Sequence, residues 1–276
     1  MKEMDRQRRT VSTKRARGVI LKSARELELM RTAGRVVHSV LSRMAELAVP
    51  GATTGELNEV AEEMIAKAGG EALFKGVENP QARFAFPAAL CTSVNEELVH
   101  GIPGERVLVQ GDIVSIDCGV RIAGYCGDSA VTLAIGDVSD AVRHLMVVTQ
   151  QALDRAIEMM KPGRMWSEVA SNIQAVVEGE GLSVVRDFVG HGIGRNMHEE
   201  PKVPNYWDRR QKLADFELVP GMVLAVEPMV NQGAYAVEYR DPDRWVVVTK
   251  DRKYAAHYEH TVAITTDGAD VLTDGR

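Results

Sequence analysis

Cysteine is scarce in this 276-residue chain, which has only Cys91, Cys118 and Cys126. An odd number without a CxxC spacing excludes a disulfide framework and a zinc knuckle, and the three read as reduced thiols of a cytoplasmic protein. Long apolar runs are also missing. No stretch approaches the ~18 uninterrupted apolar residues that suggest a membrane span. The N-terminus is basic but no apolar segment follows it, which excludes a secretory signal. No low-complexity stretch or strong linker divides the chain, so it reads as one domain with an ordinary globular composition, 45% hydrophobic and 26% charged. No heptad or exposed apolar repeat stands out, and the chain reads as a monomer.

The net charge of −6 hides an asymmetry. Residues 1–17 carry seven basic side chains against Glu3 and Asp5, a net +5 that leaves −11 on the rest. Residues 1–19 are therefore expected to be a basic, flexible arm, a solvated tail whose charge also suits ribosomal RNA or another polyanion. Residues 20–276 are the expected folded domain.

Within that domain the two halves echo each other. Pro50-Gly51 through Gly69 and Pro162-Gly163 through Gly181 share an offset of 112, with Glu56 over Glu168. Ser23 with Glu26 and Thr53 with Glu56 have capping-box spacing and open two helices, the first amphipathic through Leu27, Met30, Val37, Leu41 and Met44. Further helices are predicted over about 139–160 and 167–179. Strand-like runs lie near 90–95, 112–118, 129–135, 183–189, 222–227, 245–249 and 260–265, and residues 71–89 read as a packed loop. Helices alternating with strands at this density argue for an α+β layer structure, two pseudo-symmetric halves around a mixed or antiparallel sheet.

Acids recur at matching places in this repeat. Asp117 ends GDIVSID and Glu227 ends GMVLAVE; Asp128 in GDSAVTL and Glu259 in YEHTVAI each open an apolar run. Gly119, Gly124 and Gly127 suit a turn that would leave Asp117 and Asp128 at adjacent strand ends. One acid beside a turn is commonly just a turn former. Four acids among apolar strands are different, because an unpaired carboxylate there costs several kcal/mol or takes up a proton. Two divalent ions balance four such charges. His191, between glycines in GHGIG, adds a nitrogen donor, and one imidazole with four carboxylates suits manganese, iron(II), cobalt or zinc.

The other histidines divide by position. His100 and His198 lie beside Gly or Pro kinks and fit either a buried structural role or the site. His38 and His144 fall in helices. His260 alternates away from Glu259, as Cys118 does from Asp117. His257 shares the face of Glu259 and is not counted among the expected site residues.

SVNEELVHGIP, GDIVSIDCGV, GYCGDSAVT, FVGHGIGRNMHEEP, GMVLAVEPMV and YEHTVAIT, spread over residues 20–265, resemble the type I methionine aminopeptidases of the pita-bread fold. Only 28 residues separate His198 from Glu227, without the long insertion of type II enzymes. The resemblance implies two divalent metal ions, with Asp117 on one, His191 and Glu227 on the other, and Asp128 and Glu259 bridging. It implies that His100 and His198 flank the substrate and that Phe86, Cys91, Met197 and Trp245 line a methionine pocket. It implies removal of the initiator methionine from nascent chains, with a small second residue preferred and Glu227 carrying the proton. NPQARFAFP departs from the family's usual Gly- and Tyr-containing run, and Met197 stands where many relatives have Phe. Two rivals are a prolidase of the same fold, which usually carries an extra N-terminal domain that this chain has no room for, and an inactive relative that binds RNA or protein.

Overall fold

A computed structural model of the protein describes residues 18–208, 215–240 and 244–276. The basic segment 1–17 lies outside the described residues. Four helices are present among those described, α1 (Ala24–Leu47), α2 (Thr54–Lys67), α3 (Asp140–Met159) and α4 (Trp166–Gly179). The strands are β1 (Glu71–Ala72), β2 (Leu90–Val94), β3 (Glu97–Val99), β4 (Ile113–Ile122), β5 (Tyr125–Ala134), β6 (Ser183–Val184), β7 (Gly190–Gly192) and β8 (Glu199–Val203). They continue with β9 (Val223–Val226), β10 (Met229–Asn231), β11 (Val237–Tyr239), β12 (Val247–Thr249), β13 (Ala255–His257), β14 (Glu259–Ile264) and β15 (Ala269–Val271).

The helix starts follow local chemistry in three cases of four. In both expected capping boxes the Glu carboxylate accepts the N-cap amide, at 2.8 Å from Ser23 N and 2.7 Å from Thr53 N. The Ser23 and Thr53 hydroxyls accept in return from the Glu26 and Glu56 amides. Ser139 caps α3 by accepting from Val142 N. The fourth helix starts without a side-chain cap on Met165. Its Ser167 amide donates instead to Asp215 Oδ1 at 2.9 Å, a partner 48 residues away that local sequence does not reveal.

The internal echo is a real repeat. Helices α2 and α4 each span 14 residues at the offset of 112, and α1 and α3 end 112 apart, at Leu47 and Met159. Gly51 and Gly163 both take positive φ, 97° and 86°, in the turns between them. Isolated bridges Thr53↔Val107 and Met165↔Glu217 recur just before α2 and α4, with Thr53 and Met165 at the same offset of 112.

The nine-stranded sheet runs β1-β4-β5-β14-β9-β7-β8, with β2 also beside β4 and β15 beside β14. Every pairing between its strands is antiparallel, which narrows the mixed or antiparallel expectation. Two three-stranded sheets, β13-β10-β6 and β11-β12-β3, flank it. Helices α1 and α2 bury Val37, Leu41, Leu57 and Ile65 with Ile116, Cys118 and Val120 of β4. Helices α3 and α4 bury the other half's core, where Trp166 stacks on Phe216 at 5.8 Å.

One expectation is overturned. Asp117 and Asp128 do not stand at strand ends: β4 runs on to Ile122, and the hairpin turns at Ala123-Gly124, both at positive φ (51° and 78°). Gly119 and Gly127 lie inside the ladder, paired with Asp128 and Val120. Their reason is contact, not turning. A Cβ on Gly127 would sit 2.8 Å from Gly34 N, where α1 crosses β5 backbone to backbone beside Asp128. Neither backbone can yield cheaply. Gly127→Ala is therefore expected to destabilise the protein by about 1–3 kcal/mol, read as a lowered melting temperature. Gly179→Ala, with nothing within 4 Å of the added carbon, is the control and is expected not to lower it.

Candidate metal centre

Side-chain alternation carries the expected residues to one face of the large sheet. Asp117 on β4 pairs with Ala130 on β5, and Ala130 pairs with Glu259 on β14, so the three form one cross-strand row. Asp128, two residues from Ala130, points the same way and faces Gly119. In the next row Thr261 of β14 pairs with Ala225 of β9, and Ala225 with His191 of β7. Glu227 lies two residues beyond Ala225 and returns to the first row. Five ligand candidates from four neighbouring strands and the end of β9 thus share one face. Cys118 goes to the opposite face, into the core under α1 and α2. His260 also turns away, 2.8 Å from Thr273 Oγ1.

The donors converge. One ligand atom from each of Asp128, His191 and Glu259 lies within 4.8 Å of the other two. His191 Nε2 is 3.6 Å from Glu227 Oε1. Its Nδ1 lies 2.9 Å from the Gly192 carbonyl, to which it donates, leaving the Nε2 lone pair free toward the acids. Asp117 Oδ1, Asp128 Oδ1 and Glu259 Oε1 are buried with no hydrogen-bond partner among the described residues.

Burial raises all four acids. It pushes Asp128 to about 7, opposed by hydrogen bonds from Asp117 and the Ser129 amide. Asp117, Glu227 and Glu259 are pushed well above the usual carboxylate range by burial first and then by repulsion from Asp128. Burial, with His198 nearby, lowers His191 and His100 to about 4, so both imidazoles are neutral at pH 7. Clustered carboxylates that repel one another and a neutral imidazole with its lone pair aimed at them fit divalent cations.

Beside the acids is a mostly apolar cavity. Phe86, Cys91 and Trp245 are buried in one cluster with Phe74, and Met197 packs against it. The Phe86 and Trp245 rings meet edge-on at 5.3 Å, and Trp245 Nε1 donates to the Phe84 carbonyl at 2.9 Å. His100 sits at the cavity wall with φ of 59°, edge-on to Phe188 at 5.8 Å and Trp245 at 6.4 Å. Gly101 behind it is required by close approach, since a Cβ there would be 2.1 Å from the Thr92 carbonyl. His198 is exposed at the rim, its ring centroid 4.3 Å from that of His191. Phe74, Phe86, Cys91, Met197, Trp245, Phe188 and both histidines line the same cavity. Sequence reasoning missed Phe74, Phe188 and His257. The two phenylalanines reach the wall from irregular segments without periodicity, whereas His257 carried a usable signal, its parity with Glu259.

Residues 28–266 match the metallopeptidase family M24. The chain belongs to that family. A methionine aminopeptidase of Clostridium perfringens is 46% identical over 257 residues, spanning 92% of this chain and 98% of that protein. Methionine aminopeptidase 1 of Bacillus subtilis is 46% identical over 255 residues, 92% of this chain and 99% of that one. The crystal structure of methionine aminopeptidase from Thermotoga maritima matches with a TM-score of 0.86 at 39% identity, covering 92% and 99% of the two chains. A prolidase from Pyrococcus furiosus matches at 0.73 with 22% identity over 93% of this chain and 66% of that one, which shows the fold alone. The α+β pita-bread fold expected from the motifs is thus the fold of this M24 chain. The protein is a metal-dependent hydrolase that uses divalent ions.

The raised acids give the metal-free protein a characteristic pH dependence. Asp128 near 7 in the fold, well above the ordinary aspartate range, means the folded state binds the extra proton. Its contribution is complete below about pH 4 and is lost as pH rises through about 7. Asp128→Asn is expected to flatten the fall in metal-free melting temperature between those values and to abolish stabilisation by added divalent metal. Melting curves across pH, with and without metal, check both.

Proposed function

We propose that this M24 enzyme is a methionine aminopeptidase, cleaving the first peptide bond of chains that begin with methionine. The observation that carries the reading is one sheet face of Asp117, Asp128, His191, Glu227 and Glu259 opening directly onto the Phe86–Cys91–Met197–Trp245 cavity. Relatives named for that activity, 46% identical over nearly their whole length, support it. In this reading Asp117, Asp128, His191, Glu227 and Glu259 would together hold two divalent ions. Bound there, the ions supply Lewis acidity that activates water and polarises the scissile carbonyl.

The protein's own groups do the rest. Glu227 carries the proton from the attacking water to the leaving amine. His198, exposed at the rim, donates a hydrogen bond to the substrate carbonyl, and His100 supports the oxyanion or the leaving nitrogen. The cavity takes the methionine side chain: Phe86 and Trp245 offer ring edges and faces, while Cys91 and Met197 offer polarisable sulfur that suits a thioether. A small second residue is preferred. The reaction belongs in the cytoplasm, a placement supported by three unpaired cysteines, all buried.

Release of methionine from Met-Gly-Ser by chelator-treated protein, with cobalt, manganese, iron(II) or zinc restored in turn, tests the activity. Turnover of Gly-Pro or Ala-Pro in place of Met-Gly-Ser would make it a prolidase. His198→Ala and His100→Ala are each expected to lower kcat by about 10²-fold with metal content unchanged. The +5 charge of residues 1–17 supports a salt-sensitive contact with the ribosome. Deleting them is expected to weaken ribosome binding in co-sedimentation while leaving Met-Gly-Ser turnover intact; equal binding would remove the arm from this account.

A further inference from the structure

One polar group at the centre has no part in the roles above. His257 ends β13, two residues before Glu259, and is 2% exposed. Its Nε2 has no hydrogen-bond partner among the described residues. That nitrogen is 3.8 Å from Glu227 Oε2 and 3.9 Å from Glu259 Oε2. Both distances are too long for hydrogen bonds. They match the spacing of atoms that share an ion instead, since donors about 2.0–2.2 Å from a common metal stand roughly 3–4 Å apart.

The placement of His257 is fixed, not incidental. Thr132 of β5 grips its backbone from both sides, its hydroxyl donating to the His257 carbonyl at 2.8 Å and accepting from the His257 amide at 3.0 Å. The next residue, Tyr258, donates its hydroxyl to the Thr132 carbonyl at 2.9 Å. Met229 of β10 pairs with His257 on the other side. A buried imidazole nitrogen left without a partner costs about 1–3 kcal/mol. Such a rigid mount for an orphaned donor makes sense when something absent from the protein itself satisfies it.

We propose that His257 is a sixth protein ligand, giving through Nε2 a second imidazole donor to the divalent ion held by Glu227 and Glu259. The proposal rests on the reading of this face as a divalent-metal centre and deepens it. A neutral nitrogen donor adds no charge to a site already rich in carboxylates. It also moves the donor set away from all-oxygen preference, toward cobalt, zinc and iron(II) over manganese. His191 alone would leave the site more tolerant of manganese.

The test uses the full chain loaded with cobalt(II) and read by proton NMR, with histidine ring nitrogens labelled. Each imidazole bound to the paramagnetic ion shows a strongly shifted, exchangeable ring N–H. The wild-type protein is expected to show such signals from two rings, His191 and His257, and His257→Gln only that of His191. Calorimetry is expected to show that His257→Gln weakens cobalt binding by at least about tenfold, the lower bound for losing a mere supporting contact, and manganese binding by less. A wild-type spectrum in which His257 is unshifted would overturn the proposal and leave the metal centre standing on His191, and this outcome does not require the variant to fold. Unchanged spectra and affinities in a folded His257→Gln would do the same. Failure of the wild-type protein to bind cobalt at all would overturn the metal-centre reading together with this one.

Discussion

Asp117, Asp128, Glu227 and Glu259 share one sheet face, largely out of water, where their charges repel and burial pushes every one of their carboxyls up. No fold gains stability from such a cluster by itself. Divalent ions bound there would convert repulsion into shared ligation and so link metal binding to both stability and protonation. The remaining architecture is legible as the means of holding those acids at fixed separation.

Three devices do the holding. The hairpin of β4 and β5 places two acids on adjacent strands, and β14 and β9 add the others in register. Hydroxyls stitch these strands where ladder bonds are few: Thr261 exchanges hydrogen bonds with the Asp128 backbone, Ser129 donates to the Glu259 carbonyl, and Thr132 holds His257. Finally, α1 lies directly against β5 through Gly34 and Gly127. Each device acts within a residue or two of a ligand, so small backbone shifts there would be felt at the site.

The cluster of acids was legible because an acid inside an apolar run has few structural excuses, and here the excuse had to be made four times at repeating positions. The helices were legible for the same kind of reason, through capping boxes and the offset of 112. What failed was the reading of glycines by habit. Gly119 and Gly127 looked like turn formers, but they are ladder residues made necessary by contact, Gly119 with the Phe74 ring and Gly127 with helix α1, and such contacts are invisible to local pattern. The short strands β1, β3, β7, β8, β10, β11, β13 and β15 also escaped, because two to five residues are too few to show a clear alternation. Asp215 capping α4 across the fold is non-local in the same way. His257 is the instructive miss: its parity with Glu259 placed it on the right face, and only the side-chain geometry shows its unpartnered nitrogen.

The most direct test of the central claim is anomalous diffraction from crystals of the protein soaked with manganese or cobalt. Two anomalous peaks among Asp117, Asp128, His191, Glu227 and Glu259, with both Asp128 and Glu259 reaching each, is the result this account predicts. Peaks located elsewhere, or an ordered site in which these carboxylates pair with protons and water alone, would contradict it.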